Sequence, residues 1–197
     1  MTDPSDPNYW RERYRTRRTG WDLGGANAGL LAAATTYFRP EHRILIPGAG
    51  RGYEAEALWR RGYRDVYVCD WAEEAFAMLR RSAALPDANR LIVGDFFELG
   101  GDYDGILEQT FFCAIDPARR REYVVQCARL LQPEGRWVGV LFDRPFEGGP
   151  PFGGTRAEYR ALFGESFDVE ALGRFDGSIA PRRGTELLGV MQAKRQA

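Results

Sequence analysis

Short apolar runs alternate with amphipathic segments along the chain from residue 43 onward. The runs that have the length of buried strands lie at 43–47, 66–69, 91–93, 104–108 and 137–142. The segments that repeat apolar residues at helical spacing lie between them, at 53–61, 73–84 and 117–131. Strands that alternate with helices in this way predict βαβ units on a parallel sheet.

The last third of the chain predicts one more helix and a closing pair of strands. Thr155 and Glu158 have the spacing of a capping box, which predicts a helix that ends near Phe163. Strands are then expected at 167–175 and 185–193. The breaker-rich stretch 145–154 contains two phenylalanines, which favours a rigid loop over a domain boundary. We therefore expect a single α/β domain over residues 1–197, with a mostly parallel seven-stranded sheet and helices on both faces.

Length and charge narrow the class of partner. At 197 residues the chain is about one average domain long. Its 27 Lys and Arg residues nearly balance 28 Asp and Glu residues. Proteins that bind nucleic acid carry an excess of basic charge, so no nucleic acid partner is expected, and a small-molecule substrate is favoured. No apolar run approaches the roughly 18 residues of a membrane span, so no membrane partner is expected either.

Cysteine and histidine usage points to a reducing compartment. Cys69, Cys113 and Cys127 are odd in number and lack CxxC spacing, which indicates neither a disulfide framework nor a zinc site. His42 has no second histidine at ligand spacing, so no metal is expected. The N-terminus has no apolar segment typical of a secretion signal. We expect a cytoplasmic protein that is a monomer or a weak dimer.

A glycine loop after the first strand predicts a nucleoside site. Gly48, Ala49 and Gly50 follow this strand directly and precede a helix, where glycines allow the backbone to turn sharply and approach a ligand. A tight strand–helix turn without a ligand would look the same. Asp70, however, ends the second strand twenty residues beyond Gly50, where a carboxylate can accept both ribose hydroxyls. The Rossmann-like arrangement of a nucleoside-binding fold follows.

The spacing of the glycines favours S-adenosylmethionine over NAD. A dinucleotide loop reads GxGxxG and places a pyrophosphate on the helix N-terminus, whereas this loop reads GxGxG, with Tyr53 in the place of the last glycine. Adenosylmethionine carries no phosphate. After the third strand, Asp95 can accept from an adenine amino group, and Phe96 can form an aromatic wall. A loop cap and a core residue are the competing interpretations of these two.

Several further motifs occur in one order along the chain. They are Trp10-x3-Tyr14-x6-Trp21-Asp22-Leu23-Gly24, Ile46-Pro47-Gly48-Ala49-Gly50-Arg51-Gly52-Tyr53, Thr110-Phe111-Phe112-Cys113-Ala114-Ile115-Asp116-Pro117-x2-Arg120, Gly149-Pro150-Pro151-Phe152 and Ser178-Ile179-x-Pro181-Arg182-x-Gly184-x-Glu186. With these motifs the chain resembles the thiopurine S-methyltransferase superfamily, which includes thiopurine, chalcogen and plant halide/thiol methyltransferases. The resemblance runs from about residue 9 to 190. It implies a class I methyltransferase fold and an enzyme that transfers a methyl group from S-adenosylmethionine to a thiol, thiopurine, halide or chalcogen.

The resemblance also implies cofactor-binding residues. Aromatics of the N-terminal segment 1–30 would form a lid over the cofactor, namely Trp10, Tyr14 and Trp21. A sulfonium cation is attracted to aromatic faces, and a lid excludes water. The alternative is a hydrophobic arm that is pinned to the core. Leu23 and Trp71 join the cofactor site, and Glu108, Gln109 and Thr110 would line its methionine end.

The acceptor side is less specific. Arg120 matches an arginine associated with the acceptor pocket in thiopurine enzymes, although solvation on a helix surface would explain it as well. Asp116 and Asp143 are candidates for positioning the acceptor or removing its proton. Relatives commonly have tyrosine where this chain has Gln109 and Phe142. These departures leave open a cofactor-binding protein without catalysis, and an NAD-dependent oxidoreductase is the other alternative.

Overall fold

A seven-stranded sheet runs through residues 3–194, the part of the chain that this computed structural model describes. Its strands are β1 (Ile44–Pro47), β2 (Val66–Asp70), β3 (Leu91–Val93), β4 (Tyr103–Gln109), β5 (Leu131–Phe142), β6 (Phe167–Arg174) and β7 (Glu186–Ala193). They lie in the order β3-β2-β1-β4-β5-β7-β6. The order reverses between β1 and β4, which leaves a crevice at the carboxyl ends of these strands.

The sheet is mixed, which corrects the prediction of a mostly parallel sheet. Strands β1 to β5 pair in parallel, but β7 lies between β5 and β6 and is antiparallel to both. Residues 175–185 connect β6 to β7 without an α-helix. A parallel pairing needs a crossover of about a dozen residues or more, usually a helix, so this shorter connection returns the chain in the opposite direction.

Five α-helices occur in the described residues: α1 (Pro7–Arg15), α2 (Ala28–Tyr37), α3 (Tyr53–Arg60), α4 (Arg120–Leu130) and α5 (Arg156–Gly164). The predicted capping box at the start of α5 is confirmed, since the Thr155 and Glu158 side chains each bond the other's backbone amide. Asp6 and Asn27 cap α1 and α2. None of the helices within residues 3–194 is long and apolar enough to cross a membrane.

The prediction of an α-helix at 73–84 is wrong. The chain forms two short 3-10 turns there, Glu73–Ala77 and Leu79–Arg81. Ala75 and Leu79 are buried as the apolar spacing predicted. A 3-10 turn also places residues three apart on one face, so the spacing does not distinguish it from an α-helix.

The core lies in two layers, one on each face of the sheet. Along β1, Ile44 and Ile46 pack on the face covered by α2 and α3, and Leu45 packs on the face covered by α4 and α5. Alternation along the strand therefore buries both faces. The prediction of helices on both faces is confirmed, and the covered sheet leaves its carboxyl edge as the open side.

Candidate cofactor and acceptor site

A cavity of about 690 Å³ lies at the carboxyl ends of the parallel strands. Its wall includes a residue at or just after the end of each of them: Gly48, Asp70, Gly94, Thr110 and Phe142. A smaller cavity of about 50 Å³ shares Trp21, Gly48 and Thr110 with it. Ligands of open α/β sheets bind at this edge, so the two adjacent cavities form the candidate site.

The glycine loop lies between two aromatic side chains. Gly48 has φ +54°, and a Cβ added there would lie 2.2 Å from the Phe111 ring. Gly50 has φ +55°, and its Cβ would lie 3.0 Å from the Tyr14 hydroxyl. Both the left-handed backbone and the close approach require glycine. Gly48 lines both cavities, whereas Ala49 and Gly50 line the smaller one.

Asp70 holds this loop from the end of β2. Its Oδ2 accepts a hydrogen bond from the Gly50 amide at 3.0 Å, and its Oδ1 accepts one from the Ala72 amide at 2.8 Å. Burial raises the pKa of Asp70 to about 6, against the lowering effect of these amides. Asp70 and Trp71 both line the larger cavity. Carboxylate lone pairs that the two amides leave free can accept from a ligand.

The N-terminal aromatic cluster, Tyr9, Trp10, Tyr14 and Trp21, forms another wall of the larger cavity. The Trp21 ring lies edge-on to Trp10 at 5.3 Å and to Tyr14 at 5.7 Å, between ring centroids. Trp10 and Tyr14 also pack against the core. The cluster therefore has the contacts of a lid and of an arm pinned to the core at the same time.

Asp95 and Phe96 lie together on the wall of the larger cavity. The Asp95 carboxylate accepts from the Phe97 amide at 2.9 Å and caps the 3-10 turn Phe96–Glu98. The Phe96 ring is buried and packs edge-on against Phe111. Each residue thus has its structural role, as cap or core, in addition to its place at the cavity.

The smaller cavity is lined by charged and polar groups. Leu23 and Gln109, both predicted for the cofactor, line it beside Asp22, Arg51 and Glu54. Arg51 and Asp22 form an ion pair through Nε and Oδ2, and Glu54 accepts from the Asn27 amide at 2.9 Å. The buried Nε2 of Gln109 has no hydrogen-bond partner. Groups of both signs and an unused amide donor suit a zwitterionic ligand.

A sharp turn after β4 separates the two cavities. Thr110 has φ +68°, a conformation that is uncommon for a residue with a side chain, and it lines both cavities. The fully buried Glu108 accepts from the Phe111 and Phe112 amides at 2.7 and 3.0 Å and so holds the turn. Burial raises the pKa of Glu108 to about 7. Glu108, which was expected at the cofactor, lines neither cavity.

Of the three acceptor candidates, Asp116 alone lines the larger cavity. Its Oδ1 accepts from the Ala118 amide at 2.8 Å. Asp143 lies outside both cavities, where it accepts from the Arg156 amide at 3.0 Å. Arg120 lies outside them as well and donates to the carbonyls of Gly153 and Phe152 at 2.9 and 3.1 Å. Arg120 therefore contacts the loop beside the larger cavity and not the cavity itself.

The sequence analysis did not assign several residues of the cavity wall. Arg182 lines the cavity from the loop before β7, and Arg13 lines it from α1. The apolar end of the cavity consists of Cys113, Ala114, Ile115, Phe142, Pro150, Pro151 and Phe152. Motifs quoted above contain most of these residues, but motif membership does not tell which side chains reach a cavity.

All three cysteines are free and buried. Cys113 lies on the cavity wall, where burial raises its pKa to about 12. A thiol with this pKa is a poor nucleophile, as expected of a packing residue. Within residues 3–194, no group of three or more His, Cys, Asp and Glu side chains is arranged to hold a metal ion.

Comparison with known proteins assigns the chain to a family. The family model of thiopurine S-methyltransferase matches residues 5–196. The chain belongs to this family. Over 91% of its length it is 30% identical to "Probable thiol methyltransferase 2" of Arabidopsis thaliana, of which it covers 82%. It is 28% identical to a thiopurine S-methyltransferase of Pseudomonas fluorescens, over 85% of the chain and 86% of the relative.

Solved structures agree on the fold. The 1,6-didemethyltoxoflavin N1-methyltransferase of Burkholderia thailandensis, solved with S-adenosylhomocysteine, aligns with a TM-score of 0.75 at 20% identity, over 99% of this chain and 92% of that one. A TehB-like methyltransferase of Corynebacterium glutamicum aligns with a TM-score of 0.67 at 18% identity, over 98% and 100%. The predicted class I methyltransferase fold is thus confirmed.

Family membership confirms the predicted enzyme class. The chain is an S-adenosylmethionine-dependent methyltransferase of small nucleophiles, and S-adenosylmethionine is its cofactor. The alternative of an NAD-dependent oxidoreductase on the same fold is therefore wrong.

Proposed function

We propose that this methyltransferase transfers the methyl group of S-adenosylmethionine to a small soft nucleophile, and that a thiolate is its main acceptor. The observation that carries the proposal is the cavity itself, where Asp70 ties the glycine loop at one side and an apolar end lies at the other. The names of the relatives include thiol, thiocyanate and thiopurine methyltransferases, and each name specifies a sulfur-containing acceptor. A cavity of about 690 Å³ has room for a nucleoside and a compact acceptor together.

The residues around the cavities fit the cofactor. We assign Asp70 to the ribose hydroxyls, and Asp95, Phe96 and Trp71 to the adenine, because all four line the larger cavity beside the glycine loop. We assign the amino-acid end to the smaller cavity, where the unpartnered Nε2 of Gln109 can donate to a carboxylate. The wall of this smaller cavity also includes Leu23, Gly48, Ala49 and Gly50, which we assign to the cofactor as well. Trp10, Tyr14 and Trp21 supply aromatic surface for a sulfonium.

A bound cofactor would supply an electrophilic methyl group: the acceptor's lone pair would form the new bond to carbon, and the electron pair of the broken C–S bond would stay on the cofactor sulfur. The protein then needs to align the acceptor and exclude water. The rings of Phe142 and Phe152 at the apolar end exclude water. Asp116 is our candidate for taking a proton from a neutral thiol or for orienting it, because it lines the cavity. We assign structural roles to the other two candidates. Arg120 holds the loop at Phe152 and Gly153, and Asp143 holds the start of α5.

We further propose that residues 1–197 form one domain in which the N-terminal segment 1–30 acts as the lid. The contacts between α1 and the turn Glu73–Ala77 support this, since Arg15 pairs with Glu74 at 2.7 Å and Arg11 donates to the Trp71 carbonyl at 3.3 Å. Three free, buried cysteines support a cytoplasmic location. A monomer or weak dimer without nucleic acid remains our expectation from the balanced charge.

The test is incubation with methyl-labelled S-adenosylmethionine and a panel of acceptors: thiophenol, an alkanethiol, a thiopurine, thiocyanate, iodide, and selenium and tellurium oxyanions. We expect labelled product first with the aromatic thiol, which is acidic enough to be a thiolate at neutral pH. Reactions without the protein give the background for each acceptor. Tight cofactor binding without product from any acceptor would favour the non-catalytic alternative, and product from the oxyanions alone would refute a thiolate acceptor.

A further inference from the structure

Glu54 brings a carboxylate without a cationic partner to the wall of the smaller cavity. It lies in the first turn of α3, just after the glycine loop. Its Oε1 accepts a hydrogen bond from the Asn27 amide at 2.9 Å, and its own backbone amide also donates to the carboxylate. Within residues 3–194, no arginine, lysine or histidine side chain forms an ion pair with it. A carboxylate has about four lone-pair sites, so this one keeps capacity for a ligand.

Asp22, the other carboxylate of the smaller cavity, is bonded on several sides. It accepts from the Gly24 amide at 2.9 Å and from the Tyr53 hydroxyl, and it forms an ion pair with Arg51. The charges of Asp22 and Arg51 therefore balance each other. Among the described residues that line this cavity, Glu54 is the charged one that lacks an opposite charge.

Burial makes the negative charge of Glu54 costly. It raises the pKa of this carboxyl above its ordinary value, although the amides of Asn27 and of Glu54 itself act in the opposite direction. The start of α3 favours an acid in its first turn through the helix dipole, but a dipole carries only a partial charge. A cationic group beside the carboxylate would offset the cost that remains. The smaller cavity therefore suits a ligand that places a positive charge at Glu54.

We propose that Glu54 binds the α-ammonium group at the amino-acid end of S-adenosylmethionine. This role rests on the proposed function, which places that end in the smaller cavity, where the unpartnered Nε2 of Gln109 takes the carboxylate. The two side chains then bind the two charges of the zwitterion separately. Methyl transfer leaves the ammonium unchanged, so Glu54 binds substrate, transition state and product alike. Loss of such a contact raises KM for S-adenosylmethionine and leaves kcat unchanged.

Calorimetry with two ligands measures this contact without turnover. The ligands are S-adenosylhomocysteine and its deamino analogue, in which hydrogen replaces the α-amino group. In the unchanged protein the analogue should bind about tenfold more weakly or worse, because a charge-assisted bond is lost. In Glu54→Gln the two affinities should agree within about twofold, while the new amide oxygen can still accept from the Asn27 amide. Equal affinities in the unchanged protein would overturn the proposal even if the variant did not fold.

Glu56→Gln is the matched control, because Glu56 lies in the same helix, pairs with Arg60 at 2.7 Å and lines neither cavity. It should keep the full difference between the two ligands. The same difference in Glu54→Gln as in this control would refute the role of Glu54.

Gln109→Met tests the placement of the amino-acid end separately. It should weaken the binding of S-adenosylhomocysteine and leave that of methylthioadenosine, which lacks this end, unchanged. If Gln109→Met has this effect and Glu54→Gln has none, the role of Glu54 alone is refuted. If neither variant has an effect, the amino-acid end lies outside the smaller cavity, and the proposed placement fails as well.

Discussion

The carboxylate of Asp70 accepts a hydrogen bond from the amide of Gly50 at 3.0 Å, which ties the end of β2 to the loop after β1. The second oxygen of Asp70 holds the Ala72 amide at 2.8 Å. A group fixed in this way needs little reordering when a ligand binds, and the entropic cost of binding is reduced. The same contact also means that a change at Asp70 acts on the loop as well as on the ligand.

Asp70→Asn should weaken the binding of S-adenosylhomocysteine by about 1–3 kcal/mol, because charge-assisted bonds to the ribose are lost. Calorimetry measures this. Asp65→Asn is the control, since Asp65 precedes the other end of β2 and pairs with Arg90 at 2.9 Å. Equal affinity in the two variants would show that the ribose lies elsewhere.

Cofactor binding should depend on pH through the same carboxylate. Burial raises the pKa of Asp70 to about 6 in the free protein. Below that pH Asp70 is protonated. A ligand that binds the charged carboxylate must then displace this proton, which weakens binding by up to about 1.4 kcal/mol per pH unit. Affinity for S-adenosylhomocysteine should therefore be constant above pH 6 and fall below it. The Asp70→Asn variant should show no such fall; a parallel fall in both proteins would assign the effect to another group.

The pairing of Asp70 with the glycine loop was predictable, whereas the position of Arg182 on the cavity wall was not. The ends of neighbouring parallel strands meet at one edge of a sheet, so a carboxylate there and a loop there must lie close together. Arg182 reaches this edge from the connection between β6 and β7, and its place depends on the antiparallel insertion of β7. The left-handed backbone of Thr110 could not be predicted from the sequence either, because the turn is held by a hydrogen bond to the buried Glu108.

Gly48→Ala should destabilise the protein by at least about 2 kcal/mol, since left-handed strain and overpacking add. The added Cβ would lie 2.2 Å from the Phe111 ring, on a backbone with φ +54°. Denaturant unfolding measures the loss. Gly100→Ala is the control, because nothing lies within 4 Å of its Cβ. If both variants were equally stable, the tight approach of Phe111 to the loop would be disproved.

Trp21→Ala should weaken S-adenosylmethionine binding more than S-adenosylhomocysteine binding, by about 0.5–2 kcal/mol. The two ligands differ in the sulfonium charge, and Trp21 lies in the aromatic wall between Trp10 and Tyr14. Calorimetry with both ligands gives the difference, and the melting temperature reports on the fold. An equal loss for the two ligands would make the cluster a cover without a charge preference. Global unfolding would favour the arm pinned to the core.

Glu108→Gln should remove a pH dependence of stability. Burial raises the pKa of Glu108 from 4.5 to about 7, so the folded state binds the proton more tightly than the unfolded state. The protonated Glu108 therefore adds to the free energy of unfolding. This addition is complete below about pH 4.5 and is lost as pH rises through 7, at up to about 1.4 kcal/mol per pH unit. Denaturant unfolding at several pH values should show a shallower decline in the variant.

Glu122→Gln is the control for Glu108. The hydrogen bond from Arg119 lowers the pKa of Glu122, so the contribution of Glu122 to stability is constant above about pH 4.5 and is lost only below it. The slope between pH 5 and 7 should be the same in this control and in the unchanged protein. A decline of equal slope in Glu108→Gln would show that other groups, such as Asp70, carry the effect.

Arg120→Met should raise KM for the acceptor about tenfold while S-adenosylhomocysteine affinity stays within twofold. Arg120 holds the carbonyls of Gly153 and Phe152, and Phe152 lines the apolar end of the cavity. Releasing two charge-assisted bonds frees this loop without touching Asp70 or the glycine loop. Arg120→Lys should restore little, because an ammonium does not reproduce the paired geometry.

The control for Arg120 is its neighbour Arg121, which is exposed and pairs with Glu165 at 2.8 Å. Arg121→Met should leave KM unchanged, because exposed pairs contribute little. Steady-state kinetics with the best acceptor of the panel separates the two effects. If Arg120→Met lowered kcat with KM unchanged, Arg120 would act on the reacting atoms themselves, and its position behind the loop would not explain its role. If cofactor affinity fell as well, the loop would support both ends of the cavity.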